Sequence, residues 1–150
     1  MTKLVLFNPD PINVAWIARN MRDMDAKEIF ATRFDDDPDA LAIDVLTRWG
    51  PMWWVAGNAH TQRPVAVIGA TERWPGLWQV GMFATDEFGQ IGLGLTKWVR
   101  QRMIPTIRET HSGVRRAQAF SIEGHEVAHH WLEMLGAVRD PVPLDGFGKN

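Results

Sequence analysis

Residues 121–137 read SIEGHEVAHHWLEMLGA, and the fold turns on how they are taken. His125, Glu126, Val127, Ala128 and His129 have the H-E-x-x-H spacing by which one helical face offers two imidazoles to a zinc ion. The same letters also make the polar side of an amphipathic helix. On a helix His125 and His129 share one side. Val127, Ala128, Trp131, Met134 and Leu135 form an apolar stripe on the other. Gly124 stands directly before His125, which places that histidine in the first turn of its helix. Only 21 residues follow His129, and Glu133, Asp140 and Asp145 are poorly spaced for a third ligand. No metal is therefore expected; the alternative is a zinc site resting on His125 and His129.

Working outward, residues 114–122 read as a strand feeding this helix, which spans 124–135 and is capped by Gly136. Before them, LWQVGMFATDEFGQIGLGLTKWVRQRM (77–103) reads as a strand over 77–85. A long helix follows from 89 to about 109, kinked by Pro105. Two further strands are expected over 52–56 and 64–72, and a short first strand over 3–7. Helices are expected over 12–21, 25–34 and 39–48, the last announced by Asp37-Pro38. The order is strand, helices, three strands, helix, strand, helix. It predicts one α/β (α+β) domain over 1–150, with a mixed, mostly antiparallel sheet flanked by helices.

Composition narrows the chemistry. The chain has no cysteine, which excludes disulfides, thiolate catalysis and cysteine-ligated zinc. A net charge of −2 gives no reason to expect nucleic acid or an anionic membrane. No apolar run approaches the length of a spanning helix, and the opening MTKLVLFNPDP is too short in apolar residues for a secretory leader. There are eight tryptophans and no tyrosine. Trp53, Trp54, Trp74 and Trp78 are candidates for a partner surface, because tryptophan is enriched at interface hot spots. Trp53 and Trp54 are adjacent in a strand and point to opposite faces, so at least one is expected in the core.

Taken together, RRAQAFSIEGHEVAHHWLEMLGA (115–137) resembles the closing strand and helix of the acetyl-coenzyme-A-dependent N-acetyltransferases, the GNAT superfamily. There the helix has the form N-x-x-A-x-x-L-Y-x-x-x-G-F. His125 takes the Asn position, Ala128 matches, Trp131 takes the Leu position, and Gly136 and Ala137 replace Gly-Phe. The family's pyrophosphate loop, Q/R-x-x-G-x-G/A between a strand and a long helix, falls here on Gly89, Gln90, Gly92 and Gly94. The resemblance implies that these four residues, with Phe83, Ala84 and Trp131, face acetyl-coenzyme A. Small residues and helix-terminal N–H groups suit a pyrophosphate. DPINVAWIARNMRDMDAKEIFA (10–31) and HHWLEMLGA (129–137) also resemble the acetyltransferase-like internal virion proteins of short-tailed bacteriophages. The Arg22, Asp25 and Glu28 set in that stretch reads as a solvated helical face with weak ion pairs.

The departures from an active enzyme are specific. The family's proton-donating Tyr aligns with Leu132. The loop's Arg/Gln position falls on Gly89, with Gln90 one residue out of register. Asp86 and Glu87 set two carboxylates where a polyanion would lie. Candidates for proton transfer are His125, with His129 or His130 beside it, and Glu72 at a strand end. The family's last strand is expected to be lacking, which would leave a sheet edge or groove open to another chain. The expectation is a GNAT-fold, virion-associated structural or interaction protein, in the virion or host cytoplasm, with a degenerate acetyl-coenzyme-A site and no required cofactor. Its partners would be other virion proteins or further copies of itself. The alternatives are an active N-acyltransferase and, behind it, a zinc peptidase.

Overall fold

Residues 65–70, Val-Ala-Val-Ile-Gly-Ala, are buried without exception, because helices cover both faces of the strand that contains them. The structure is a computed structural model that describes residues 3–149; Met1, Thr2 and Asn150, the ends of the domain expected over 1–150, lie outside the described residues. Its elements are β1 (Leu4–Phe7), α1 (Pro11–Arg19), α2 (Asp23–Phe30), α3 (Pro38–Thr47), β2 (Trp53–Asn58), β3 (Pro64–Trp74) and β4 (Leu77–Ala84). Then come α4 (Phe88–Trp98), a π-helical turn (Val99–Met103), α5 (Ile104–Arg108), β5 (Arg116–Gln118) and α6 (Glu126–Met134). The sheet runs β1-β2-β3-β4-β5, antiparallel at every junction except the parallel pair β4–β5.

Strand alternation separates two cores. Trp53, Val55, Val67 and Phe83 face Val14, Ile17, Leu41 and Val45 of α1 and α3. Ala56, Ala66, Ile68 and Ala84 face Leu95, Val99, Met103 and Ile107 of the α4–α5 rod, with Trp131 of α6. Trp53 belongs to the first core because two neighbouring strands carry glycine beneath its indole. A Cβ on Gly69 would stand 2.7 Å from the Trp53 ring and 2.2 Å from the Met52 carbonyl, and one on Gly81 would stand 3.1 Å from the ring.

Local signals in the sequence set most helix ends. Asp10 and Asn13 form a reciprocal capping box at α1, with Pro11 in the first turn. Asp37 caps α3 ahead of Pro38. Gly136, at φ +96°, closes α6: Ala137 N–H bonds Leu132 O and Gly136 N–H bonds Glu133 O.

Three expectations change. Helix α2 starts two residues early and stops at Phe30, because the Arg22 amide is tied to Ala84 O at 2.8 Å. The irregularity expected at Pro105 takes the form of a π turn over Val99–Met103 ahead of it, not a kink at the proline itself. The π turn before it opens the coil, and Ile104 N–H reaches back five residues to Val99 O. Strand β5 pairs at only three positions rather than the nine residues expected, because the chain turns away after Gln118 toward α6. Among the described residues no strand follows α6, and no helix is long and apolar enough to cross a membrane.

Of the four tryptophans expected at a partner surface, two are core. Trp53 is 6% exposed and donates to Thr71 Oγ1; Trp78 is 5% exposed and donates to Gly113 O. Trp54 is half-buried, edge-on to Trp98. Only Trp74, 65% exposed, stands at the surface.

Candidate functional site

The short β4–β5 pairing creates the main cavity. Hydrogen-bonded partners run from Leu77/Arg116 to Gln79/Gln118, and beyond them the strands part. Thr85 N–H bonds Val65 O on the β3 side, so alternation turns the backbone groups of Met82 the other way, into the gap. The gap is a cavity of about 580 Å³, walled by β4, the chain after β5, α2 and α6, with Phe147 at its mouth.

At its inner wall lies a buried ionic cluster. Asp25 is 3% exposed and both of its oxygens are taken. Arg22 donates to them through Nε (3.0 Å) and Nη2 (3.1 Å), the Ala84 amide donates at 2.8 Å, and His125 Nε2 stands 2.5 Å away. Glu28 approaches the same His125 nitrogen at 3.5 Å. The guanidinium also lies over the Phe88 ring, 4.8 Å from its centroid. The cluster therefore joins α2, the end of β4 and α6. The Arg22, Asp25 and Glu28 set is thus an internal anchor and not the solvated face expected from helical spacing.

The zinc reading fails on geometry. His129 Nε2 turns back to Ile122 O at 3.0 Å and does not converge with His125. The groups that do converge are Asp25, Glu28 and His125, with ligating atoms within 4.8 Å of one another. Arg22 already supplies the positive charge there, and a cation would have to displace it. Glu72 is also removed from the chemistry. Its carboxylate accepts from Gly76 N–H and closes the β3–β4 turn.

Burial raises the Glu28 carboxyl above the ordinary carboxylate range; the Asp25 charge adds to this, and His125 opposes it. A carboxyl raised in the fold costs stability once pH exceeds its folded value, and costs none when both states are protonated. Glu28→Gln is therefore expected to melt above the parent at about pH 8 and level with it at about pH 4. Calorimetric melts across that range check the sign; a variant less stable than the parent at pH 8 would contradict it.

The acetyl-coenzyme-A positions do not form a cradle. Helix α4 begins at Phe88, so Gly92 and Gly94 sit inside it and not in a preceding loop. A Cβ on Gly92 would meet the Phe88 ring at 3.5 Å, an ordinary contact, whereas one on Gly94 would stand 3.3 Å from Leu4 Cβ, so only Gly94 serves close packing of α4 on β1. Three amides at the helix head are spent: Glu87 N–H on Thr85 Oγ1, Phe88 N–H on Thr85 O, Gln90 N–H on Glu87 O. Gln90 Oε1 accepts from Asn58, and Glu87 pairs with Arg63 at 2.7 Å. Position 84 is likewise closed: Ala84 N–H donates to Asp25 and its carbonyl accepts from the Arg22 amide. Phe83 is wholly buried, and Trp131 donates to Thr96 Oγ1 at 2.9 Å, pinning α6 to α4. Gly89 alone faces open space. These residues do not fit the cofactor's pyrophosphate. Gly92→Ala is accordingly expected to raise stability by up to about 1 kcal/mol, the helix-propensity difference, read from urea midpoints.

No family model matches the sequence, and no curated protein matches it. Solved structures do. A GNAT-family acetyltransferase from Bacillus anthracis superposes with a TM-score of 0.62 at 11% identity, over 97% of this chain and 89% of that one. The Ard1 protein from Thermoplasma volcanium gives 0.60 at 16%, over 88% and 81%. An aminoglycoside 6'-N-acetyltransferase from Acinetobacter baumannii gives 0.58 at 16%, over 98% of both chains. At these identities the likeness is one of architecture: the chain has the mixed α/β fold of the GNAT acetyltransferases.

Proposed function

We propose that this chain is a non-catalytic protein built on an acetyltransferase fold, acting by binding as a virion-associated component of a bacteriophage. One observation carries the loss of transfer: the pyrophosphate turn has been absorbed into α4, and its Gln90 and Glu87 side chains are bonded to Asn58 at the end of β2 and Arg63 just before β3. Leu132, on the cavity wall where the resemblance would place the proton donor, has no proton to give. The virion assignment rests on the likeness of residues 10–31 and 129–137 to phage internal virion proteins.

Titration calorimetry with acetyl-coenzyme A tests the first part. The expected result is no saturable heat and no shift in melting temperature. A retained site filled to 100 times its Kd would add about 2.7 kcal/mol of stability. Saturable binding together with acetyl transfer to any amine would overturn the proposal. Quantitative proteomics of particles from a phage encoding this chain tests the second part; its absence from purified virions would remove the assignment.

A working N-acyltransferase is the second reading, and the cavity favours it. The wedge between β4 and β5 is open, Met82 turns backbone groups into it, and His125 stands at its wall with Asp25 behind. This reading requires the head of α4 to unwind, so it predicts cofactor binding coupled to breakage of the Arg63–Glu87 pair.

A further inference from the structure

The two faces of the sheet carry opposite charge. Residues 88–109, the α4–α5 side, hold four Lys or Arg and one carboxylate; the rest of the chain holds twelve and seventeen. Lys97, Arg102 and Arg108 are exposed, and among the described residues none pairs with a carboxylate. Leu93, Lys97 and Arg100 follow one helical stripe, and Leu93 is 84% exposed at its head. The opposite side, residues 10–48, holds seven carboxylates and four Lys or Arg outside the Arg22–Asp25–Glu28 cluster. Its outer surface is apolar at the centre: Ile12 is 84% exposed, Ile43 60% and Trp16 43%. The Arg19–Asp39 pair joins the end of α1 to the start of α3, so the two helices run antiparallel. Trp16 and Ile43 each lie about one turn in from that pair, on its α1 and α3 sides.

We propose that the α1–α3 face of one copy docks on the α4–α5 face of the next, in a head-to-tail assembly of this chain. An apolar centre with an acidic surround meets an apolar residue with a basic surround. The sheet lies between the two faces, so they cannot meet within one molecule. A contact between different faces is heterologous and builds rings or filaments, not two-fold dimers. A nucleic acid would use the basic face but leave Trp16, Ile12 and Ile43 uncovered, and the acidic remainder of the chain would oppose it. The inference does not depend on whether acetyl-coenzyme A binds.

Sedimentation velocity on the full chain tests it. The parent is expected to grow in mass with concentration and to dissociate at high salt, where screening weakens the charged surround. Trp16→Asp alone and the double change Leu93→Asp, Lys97→Glu alone should each sediment as folded monomers, with circular dichroism matching the parent. Ile43→Lys is the substitute should Trp16→Asp fail to fold. Mixed in equal amounts, the two blocked variants should form a one-to-one pair and nothing larger, because each keeps the face the other has lost. A parent that stays monomeric at every concentration overturns the proposal. So does a homodimer that survives one blocked face, or a monomeric parent whose basic face captures duplex DNA.

Discussion

Asp25→Ala is expected to destabilise the protein by about 3–5 kcal/mol, the cost of breaking a buried ion pair from one side. The carboxylate makes four contacts with three groups, so its loss strands the Arg22 guanidinium, the Ala84 amide and the His125 ring together. Arg22 is only 16% exposed, and water cannot fully resolvate its charge without moving α2. Asp25→Asn keeps the volume and an acceptor but removes the charge, and is expected to fall between the alanine variant and the parent. Urea unfolding with a double-mutant cycle through Arg22→Met separates the pair energy from the stranded-charge penalty. Additive losses would mean that the two side chains act independently, and would contradict the anchor. The same anchor sets the shape of the cavity, since it holds the end of β4 against α2 and α6. Loosening it should also expose the cavity wall to a hydrophobic dye.

That anchor was not legible in the sequence, and the reason is physical. Arg22, Asp25 and Glu28 follow the spacing of an exposed i, i+3 ion pair, and burial does not change that spacing. What buries them is His125, one hundred residues further on. Trp53 is a similar case: its place in the core depends on Gly69 and Gly81 lying under it from two other strands. The glycine pair misled in another way. Gly92 and Gly94 mark a flexible turn only if the helix begins after them. The helix expected from 89 starts at Phe88, where Thr85 accepts the Glu87 and Phe88 amides, so both glycines lie inside it. Signals that act over three or four residues did carry through. The Asp-Pro steps at 10–11 and 37–38 start helices, Gly136 ends one, and alternation over residues 52–84 gives the three central strands. The H-E-x-x-H letters are local too, but convergence on a metal is a property of rotamers, and His129 uses its ring to bond the turn before α6.

Trp131→Ala is expected to cost about 3–5 kcal/mol, in the range for emptying a buried tryptophan site. The indole is 7% exposed, meets the Phe88 ring edge-on at 6.1 Å and donates to Thr96 Oγ1. Thr96 itself donates to Gly92 O, so its hydroxyl keeps one bond in the variant, and the main loss is packing between α6 and α4. Trp131→Phe separates the two contributions. It retains most of the apolar contact and gives up one hydrogen bond, which should cost about 1 kcal/mol beyond the lost ring volume. Equal losses for alanine and phenylalanine would show that the hydrogen bond, and not the packing, holds α6. The leucine variant bears on function, because leucine is what the resemblance expects at this position. Trp131→Leu widens the cavity beside Phe88 but leaves the head of α4 untouched. If the closed pyrophosphate turn is what excludes acetyl-coenzyme A, the leucine variant should remain as silent in calorimetry as the parent. Binding regained by that one change would move the block from the turn to the indole.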